Sequence, residues 1–203
     1  MDKRVIQRGM TALAQIDPQV AGAFARLGPP QPRLRPAGFE TLFSTIVSQQ
    51  ISTEAARVIS RRVKALLPEV SAPALLGVDT EALRGAGMSY RKIEYARGLA
   101  KAIVEGRLDV DGLPKLSDED AIGAITALRG FGRWSAEIYL MFSLRRRDVF
   151  PADDLALQIA LGRLKGLDGK PTPRQARELV AHWAPWRSVG SLFLWHYYRG
   201  APA

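Results

Sequence analysis

The chain has 203 residues and a mass of 22.3 kDa, with 47% hydrophobic and 24% charged residues. That composition gives one globular domain or two tightly joined lobes and excludes a large multidomain chain or a disordered bulk state. Lys+Arg 29 against Asp+Glu 20 leave a net charge of +9 and a pI of about 10.2, which points to a polyanionic partner, with a merely solubilising surface as the alternative.

The surplus is uneven. Residues 41–128 carry 11 basic and 11 acidic groups, residues 1–40 carry 6 and 3, and residues 129–203 carry 12 and 6. There is no cysteine, so disulfides, thiolate zinc sites, a cysteine nucleophile and a cysteine-ligated iron–sulfur cluster are excluded. His182 and His196 are the only histidines, too few for a dedicated histidine metal site. No apolar run approaches the roughly 18 residues that span a bilayer. The stretch MDKRVIQRGM lacks the apolar core of a signal peptide. A reducing, intracellular setting is expected, with no membrane association.

In chain order the pattern is helical throughout, with little strand alternation. Asp17-Pro18 caps a helix whose Val20, Phe24 and Leu27 share a face until Gly28-Pro29-Pro30 stops it. Residues 28–38, with four prolines, form a linker. A helix from Phe39 carries Leu42, Phe43, Ile46 and Val47 and ends near Gln49-Gln50. Ser52 or Thr53 caps the next, with Val58, Ile59, Val63 and Leu66 inward, and Pro68 ends it. A short helix over 79–85 precedes Gly85-Ala86-Gly87. A longer one follows Ser89, with Ile93, Ala96, Leu99, Ala100 and Ile103 at helical spacing. Ser117 and Asp120 resemble a capping box opening a helix to Leu128. Further helices start near Ser135, Asp153 and Thr172, and a last one after Pro185. No internal repeat or low-complexity tract is present.

The segment Leu128-Arg129-Gly130-Phe131-Gly132-Arg133-Trp134-Ser135-Ala136 joins two helices through two glycines one residue apart. Such a turn presents backbone N–H groups and the positive end of a helix dipole, which suits a phosphate oxygen. Glycine permits positive φ and close approach of a nucleic-acid backbone. As a bare Gly-x-Gly it is equally a tight connection between helices.

The full string resembles the signature of the helix-hairpin-helix base-excision DNA glycosylase superfamily, Leu-x-Gly-hydrophobic-Gly-x-x-Thr/Ser-Ala, at every defined position. The likeness covers roughly residues 39–199. That family has an acidic residue about twenty positions after the second glycine, where this chain has Asp153 and Asp154. The bacterial 3-methyladenine DNA glycosylase II group is most similar, through Gly132-Arg133-Trp134, Pro151-Ala152-Asp153-Asp154 and Trp183-Ala184-Pro185-Trp186-Arg187-Ser188 followed by Trp195. Only about 38 residues precede Phe39, so a compact form without that group's N-terminal β-rich domain is implied.

The resemblance implies an all-α fold: one helix-hairpin-helix glycosylase domain over 1–203. Its two helical lobes, about 39–135 and about 1–38 plus 136–203, would flank a cleft with the hairpin and Asp154 at its mouth. It also implies an enzyme that flips out and hydrolytically excises alkylated purines of the 3-methyladenine and 7-methylguanine type from double-stranded DNA. Lyase relatives carry a lysine where this chain has Trp134, and tryptophan cannot form a Schiff base. The implied enzyme is therefore monofunctional.

Breaking the N-glycosidic bond puts oxocarbenium character on the sugar, so a fixed negative charge beside C1′ is needed. Asp154 aligns with the family's catalytic aspartate, with the helix behind it helping to keep it ionised. Asp153 is read as that helix's N-cap. Trp134 and Trp195 would stack on a flipped cationic base, with Ile138 and Leu155 at pocket positions that are tyrosine in the best-known member. Trp183 and Trp186 are read as core. Gln50, in Ser48-Gln49-Gln50-Ile51-Ser52, aligns with the wedge residue that fills the vacated stack, a helix-end glutamine bonding only backbone being the alternative. DNA contact is assigned to Gln49, Gln50, Gly130, Gly132, Arg133, Ser135 and Lys92. No side-chain metal site is expected, although carbonyls of Leu128, Gly130 and Arg133 could hold sodium or potassium as in family hairpins.

Damaged double-stranded DNA is thus the expected partner, a monomer the default, and the bacterial cytoplasm, nucleoid-associated through DNA, the expected location. Two alternatives stay open: a glycosylase for another lesion, such as hypoxanthine or ethenoadenine, and a non-catalytic helix-hairpin-helix binding module. A pure binder needs neither Asp154 nor an aromatic-lined pocket.

Overall fold

A computed structural model describes residues 1–200. Every regular element among them is helical, as the pattern implies. In order these are α1 (Lys3–Ile16), α2 (Pro18–Leu27), α3 (Phe39–Ser48), α4 (Thr53–Ala65), α5 (Ala72–Gly77), α6 (Thr80–Gly85), α7 (Tyr90–Val104), α8 (Asp118–Thr126), α9 (Arg133–Phe142), α10 (Leu155–Leu164), α11 (Pro173–Leu179) and α12 (Arg187–Gly200), with 3₁₀ turns at Leu113–Lys115 and Ala181–Trp183. No described helix is long and apolar enough to cross a membrane.

The chain divides into two packed units, residues 35–139 and residues 1–34 with the chain from 140 onward. The expected second lobe included residues 201–203, which lie outside the described residues.

In the unit 35–139, helix starts are set by short polar side chains. Ser52, Ser71, Asp79, Ser89 and Ser117 each accept the backbone N–H three residues on, from Ala55, Ala74, Ala82, Lys92 and Asp120, at 3.0–3.3 Å. Each cap satisfies one otherwise orphaned donor. At Ser117 the return bond runs from its hydroxyl to Asp120 Oδ2 at 2.6 Å, so the capping box has a side-chain partner in place of the usual backbone one. The core is Phe43, Ile46, Val47, Val63, Leu75, Leu83, Ile93, Ala96 and Leu99. Leu66, expected inward, is exposed, and Leu67 is buried instead. The helix ends at Ala65, which moves the inward direction by one residue.

Two helices lack a mark in the pattern. α5 is only six residues with a proline in its first turn. α1 has a polar character that masks its stripe of Ile6, Met10 and Leu13. The α1 stripe packs on α2 and α12, where a Cβ on Gly9 would stand 2.8 Å from Val189 Cγ2.

The other unit is organised around Asp17. Its Oδ1 caps α2 through Val20 N at 3.2 Å. Its Oδ2 accepts from Lys165 Nζ at 2.5 Å and Trp183 Nε1 at 2.7 Å, with His182 Nε2 at 3.2 Å. Trp183 is fully buried, as expected for core, and Trp186 is half-buried. Burial alone would raise the Asp17 pKa, but the bonds from Lys165, Trp183 and Val20 outweigh it and hold the carboxyl below its ordinary value.

Candidate active site and nucleic-acid interface

Asp154 stands at the N-terminus of α10. Its Oδ1 accepts the Leu157 backbone N–H at 3.0 Å, so Asp154, and not Asp153, is the N-cap. This corrects the sequence assignment. The cap must be the residue directly before the helical φ/ψ run, and that run starts at Leu155. Asp153 faces outward and pairs with Arg177 at 3.4 Å. The same Oδ1 accepts the indole N–H of Trp195 at 3.2 Å. The carboxylate thus lies on the positive end of a helix dipole with an aromatic ring tethered to it.

The segment leading to Asp154 is clamped. Arg187 holds Asp148 through Nε at 2.8 Å and Nη2 at 2.7 Å. This pairing keeps the Asp148 carboxyl below its ordinary value. Ser188 Oγ accepts from Val149 N at 2.9 Å and donates to Val149 O at 3.0 Å. Buried Gln158 donates to Ala152 O at 2.8 Å and accepts from Lys170 Nζ at 3.1 Å. Arg187 and Ser188 of the tryptophan-rich motif therefore have a task that the sequence did not reveal. They fix the approach to Asp154 from α12.

Leu155, directly after Asp154, is 57% exposed. Trp195 is half-buried, its ring 5.9 Å from Phe142, and the Arg33 guanidinium lies 4.7 Å over the Phe142 ring. Asp154, Leu155 and Trp195 are thereby brought together in one unit, with Phe142 and Arg33 as neighbours that periodicity does not single out.

The hairpin residues belong to the unit 35–139. Gly130 has φ +95°, and a Cβ there would stand 2.5 Å from Tyr95 Cδ2, so both conformation and packing demand glycine. Gly132 has ordinary φ and open space around a notional Cβ. Phe131 between them is buried. Gln49 Nε2 donates to Gly130 O at 2.6 Å, and Lys92 Nζ donates to Val47 O at 2.6 Å. The Gln49-Gln50 junction is thus tied to the hairpin. Lys92, expected at a phosphate, secures the end of α3, and burial lowers its pKa.

Arg133 is held by Glu119 at 2.6 and 3.0 Å and by buried Glu137 at 3.0 Å. The Glu119 bonds raise its pKa. Ser135 is buried. Neither side chain presents itself as an open cation or donor. Arg129 is likewise paired with Glu94. Trp134, at the start of α9, is 42% exposed, and Ile138, one turn on, is buried. Gln50 is exposed with φ +56°; it and Arg145 are the non-glycine residues with positive φ among those described.

Leu128 O accepts from Phe131 N at 3.2 Å, and Gly130 O from Gln49 Nε2. No group of three or more His, Asp or Glu side chains that could hold a metal occurs among the described residues.

Residues 43–185 match the model of the HhH-GPD superfamily base excision DNA repair proteins. The chain is 33% identical over 161 residues to DNA-3-methyladenine glycosylase 1 of Schizosaccharomyces pombe, covering 77% of this chain and 71% of that protein. It is 31% identical over 198 residues to DNA-3-methyladenine glycosylase 2 of Escherichia coli, covering 90% and 67%. The solved structure of the S. pombe 3-methyladenine DNA glycosylase in complex with abasic DNA superposes with a TM-score of 0.84 at 28% identity, covering 96% of this chain and 98% of that one.

Proposed function

Since the chain belongs to the HhH-GPD superfamily of base excision DNA repair proteins, we propose that it is a monofunctional DNA glycosylase that excises alkylated purines from double-stranded DNA. The observation that carries this reading is the Asp154 carboxylate, clamped at the α10 N-terminus with the Trp195 indole N–H on its Oδ1. A binding module needs no such tethered carboxylate. The names of the relatives, 3-methyladenine glycosylases, support the substrate class.

In the proposed reaction the C1′–N bond breaks, and the bonding electrons leave with a base that an alkyl group has already made cationic. The base departs neutral, the sugar takes oxocarbenium character, and Asp154 stabilises that charge. Water adds its oxygen to C1′ and gives its proton to solvent. No general acid is required for so good a leaving group. Trp134 offers no amine for a covalent intermediate, so the abasic strand is left unbroken.

The Trp195 ring, tethered to Asp154, supplies an electron-rich face to the flipped base. Leu155, directly after Asp154, adds an exposed apolar surface in the same unit. Exposed Gln50, in its left-handed conformation, is the wedge. The hairpin binds phosphate through backbone N–H groups around Gly132, and a monovalent cation on the Leu128, Gly130 and Arg133 carbonyls would reinforce that anion site. Arg133, through Glu119 and Glu137, and Lys92, through Val47 O, hold this framework.

The test is incubation with methylated duplex DNA. The reading predicts release of free 3-methyladenine or 7-methylguanine, with strand breaks appearing only after alkali. Release of hypoxanthine or ethenoadenine alone would move the substrate class. Binding without release of any base would leave a binding module.

A further inference from the structure

The basic charge is distributed against the hairpin. The unit that holds the hairpin has fourteen basic and thirteen acidic residues, while the unit that holds Asp154 has fifteen and seven. The hairpin's own Arg129 and Arg133 are committed to Glu94, Glu119 and Glu137. Cationic neutralisation of a DNA backbone supplies much of the affinity of such proteins, and the larger basic surplus lies in the unit that holds Asp154.

Beside Trp195 lies a cavity of about 260 Å³, walled on one side by the linker at Pro30, Pro32 and Arg33 and on the other by α12 at Trp195, His196 and Arg199. Ligand pockets for a base are predominantly apolar. This one has two guanidinium groups and an imidazole among its lining residues and no carboxylate. Two prolines fix the backbone of the linker wall, and Arg33 is seated on the Phe142 ring. His196 Nε2 lies 3.0 Å from Leu27 O. A carbonyl only accepts, so Nε2 carries the hydrogen and anchors the ring. The helix wall repeats at 195, 196 and 199, one face of α12.

We infer that this cavity is a phosphate subsite that takes one phosphodiester of the damaged strand, held by Arg33 and Arg199, next to the nucleotide that Trp195 contacts. The inference rests on the proposed DNA glycosylase function. Trp195 would then serve two neighbours, the base on its ring and the strand's phosphate beside it, with Asp154 at its N–H.

Arg199→Gln and Arg33→Gln variants of the full chain test this with a duplex carrying a tetrahydrofuran abasic analogue. Each substitution is expected to lower the slope of log Kd against log salt by about one contact and to weaken binding about equally across flanking sequences. In a scan of single methylphosphonate linkages, one linkage flanking the analogue should weaken the wild type about as much as the substitution does, and should not weaken Arg199→Gln further. Unchanged salt slopes in both variants, or a neutral linkage whose effect adds in full to Arg199→Gln at every position, would overturn the inference. If the wild type binds this duplex yet frees no base from methylated DNA, the glycosylase reading fails, while the slopes still decide the subsite.

Discussion

The indole N–H of Trp195 donates to the same Oδ1 of Asp154 that receives the Leu157 backbone N–H, at 3.2 and 3.0 Å. One carboxylate oxygen thus joins an aromatic ring on α12 to the first turn of α10. The ring that would stack on a flipped base therefore also orients the carboxylate.

Trp195→Phe keeps an aromatic face and removes the N–H. Hydrogen bonds to charged groups contribute about 1.5–3 kcal/mol, and part of that acts on Asp154 orientation. The single-turnover excision rate is expected to fall about tenfold, with duplex affinity nearly unchanged. A variant as fast as wild type would show that the bond plays no part in the chemistry.

The two hairpin glycines separate stability from binding. Gly130→Ala forces a Cβ onto Tyr95 at φ +95°, so thermal or urea unfolding should show a loss of about 2–4 kcal/mol from strain and overpacking. Gly132→Ala adds a methyl to open space. It should change stability by less than about 0.5 kcal/mol and weaken DNA binding, because the methyl stands where a phosphate would approach.

At Gln50, glycine accommodates φ +56° without strain. Gln50→Gly is expected to leave the protein as stable as wild type or slightly more so, and to slow excision by emptying the wedge. Unimpaired excision would assign the position to chain reversal alone.

Asp17 contributes to acid stability. Its pKa is lowered in the fold, bonds from Lys165, Trp183 and Val20 overcoming burial, so the stability it contributes is present above the unfolded carboxyl pKa of about 3.9. That contribution is lost as pH falls below this value through the folded one. Asp17→Asn leaves Lys165, at 11% exposure, with an uncompensated charge. A loss of about 3 kcal/mol near neutral pH is expected, with a shallower decline below pH 4 than the wild type in urea titrations.

Much of the helical order was legible because caps and breakers are local. Asp17-Pro18, Ser89 and Thr172 each carry their helix start in one or two residues. α5 was not legible, since six residues give too few turns for a period, and α1 was hidden by its polar residues. The hairpin stood out because Gly130 answers a backbone demand. The partners of Arg133 and Lys92 did not, because Glu119 and Val47 are brought to them only by packing. The same limit hid that the N-cap of α10 is Asp154 and not Asp153. Two adjacent aspartates read alike until the first helical residue is fixed at Leu155. It also hid Arg33 and Arg199, which meet across a cavity from opposite ends of the chain.

The most direct test of the account is single-turnover release of base from methylated duplex DNA by wild type and Asp154→Asn, with duplex affinity and melting temperature measured in parallel. Asparagine is as good an N-cap as aspartate, so fold and binding should persist, while loss of the charge beside C1′ should slow excision by at least about a hundredfold. Excision by Asp154→Asn at a rate near wild type would contradict the assignment of the chemistry to this carboxylate.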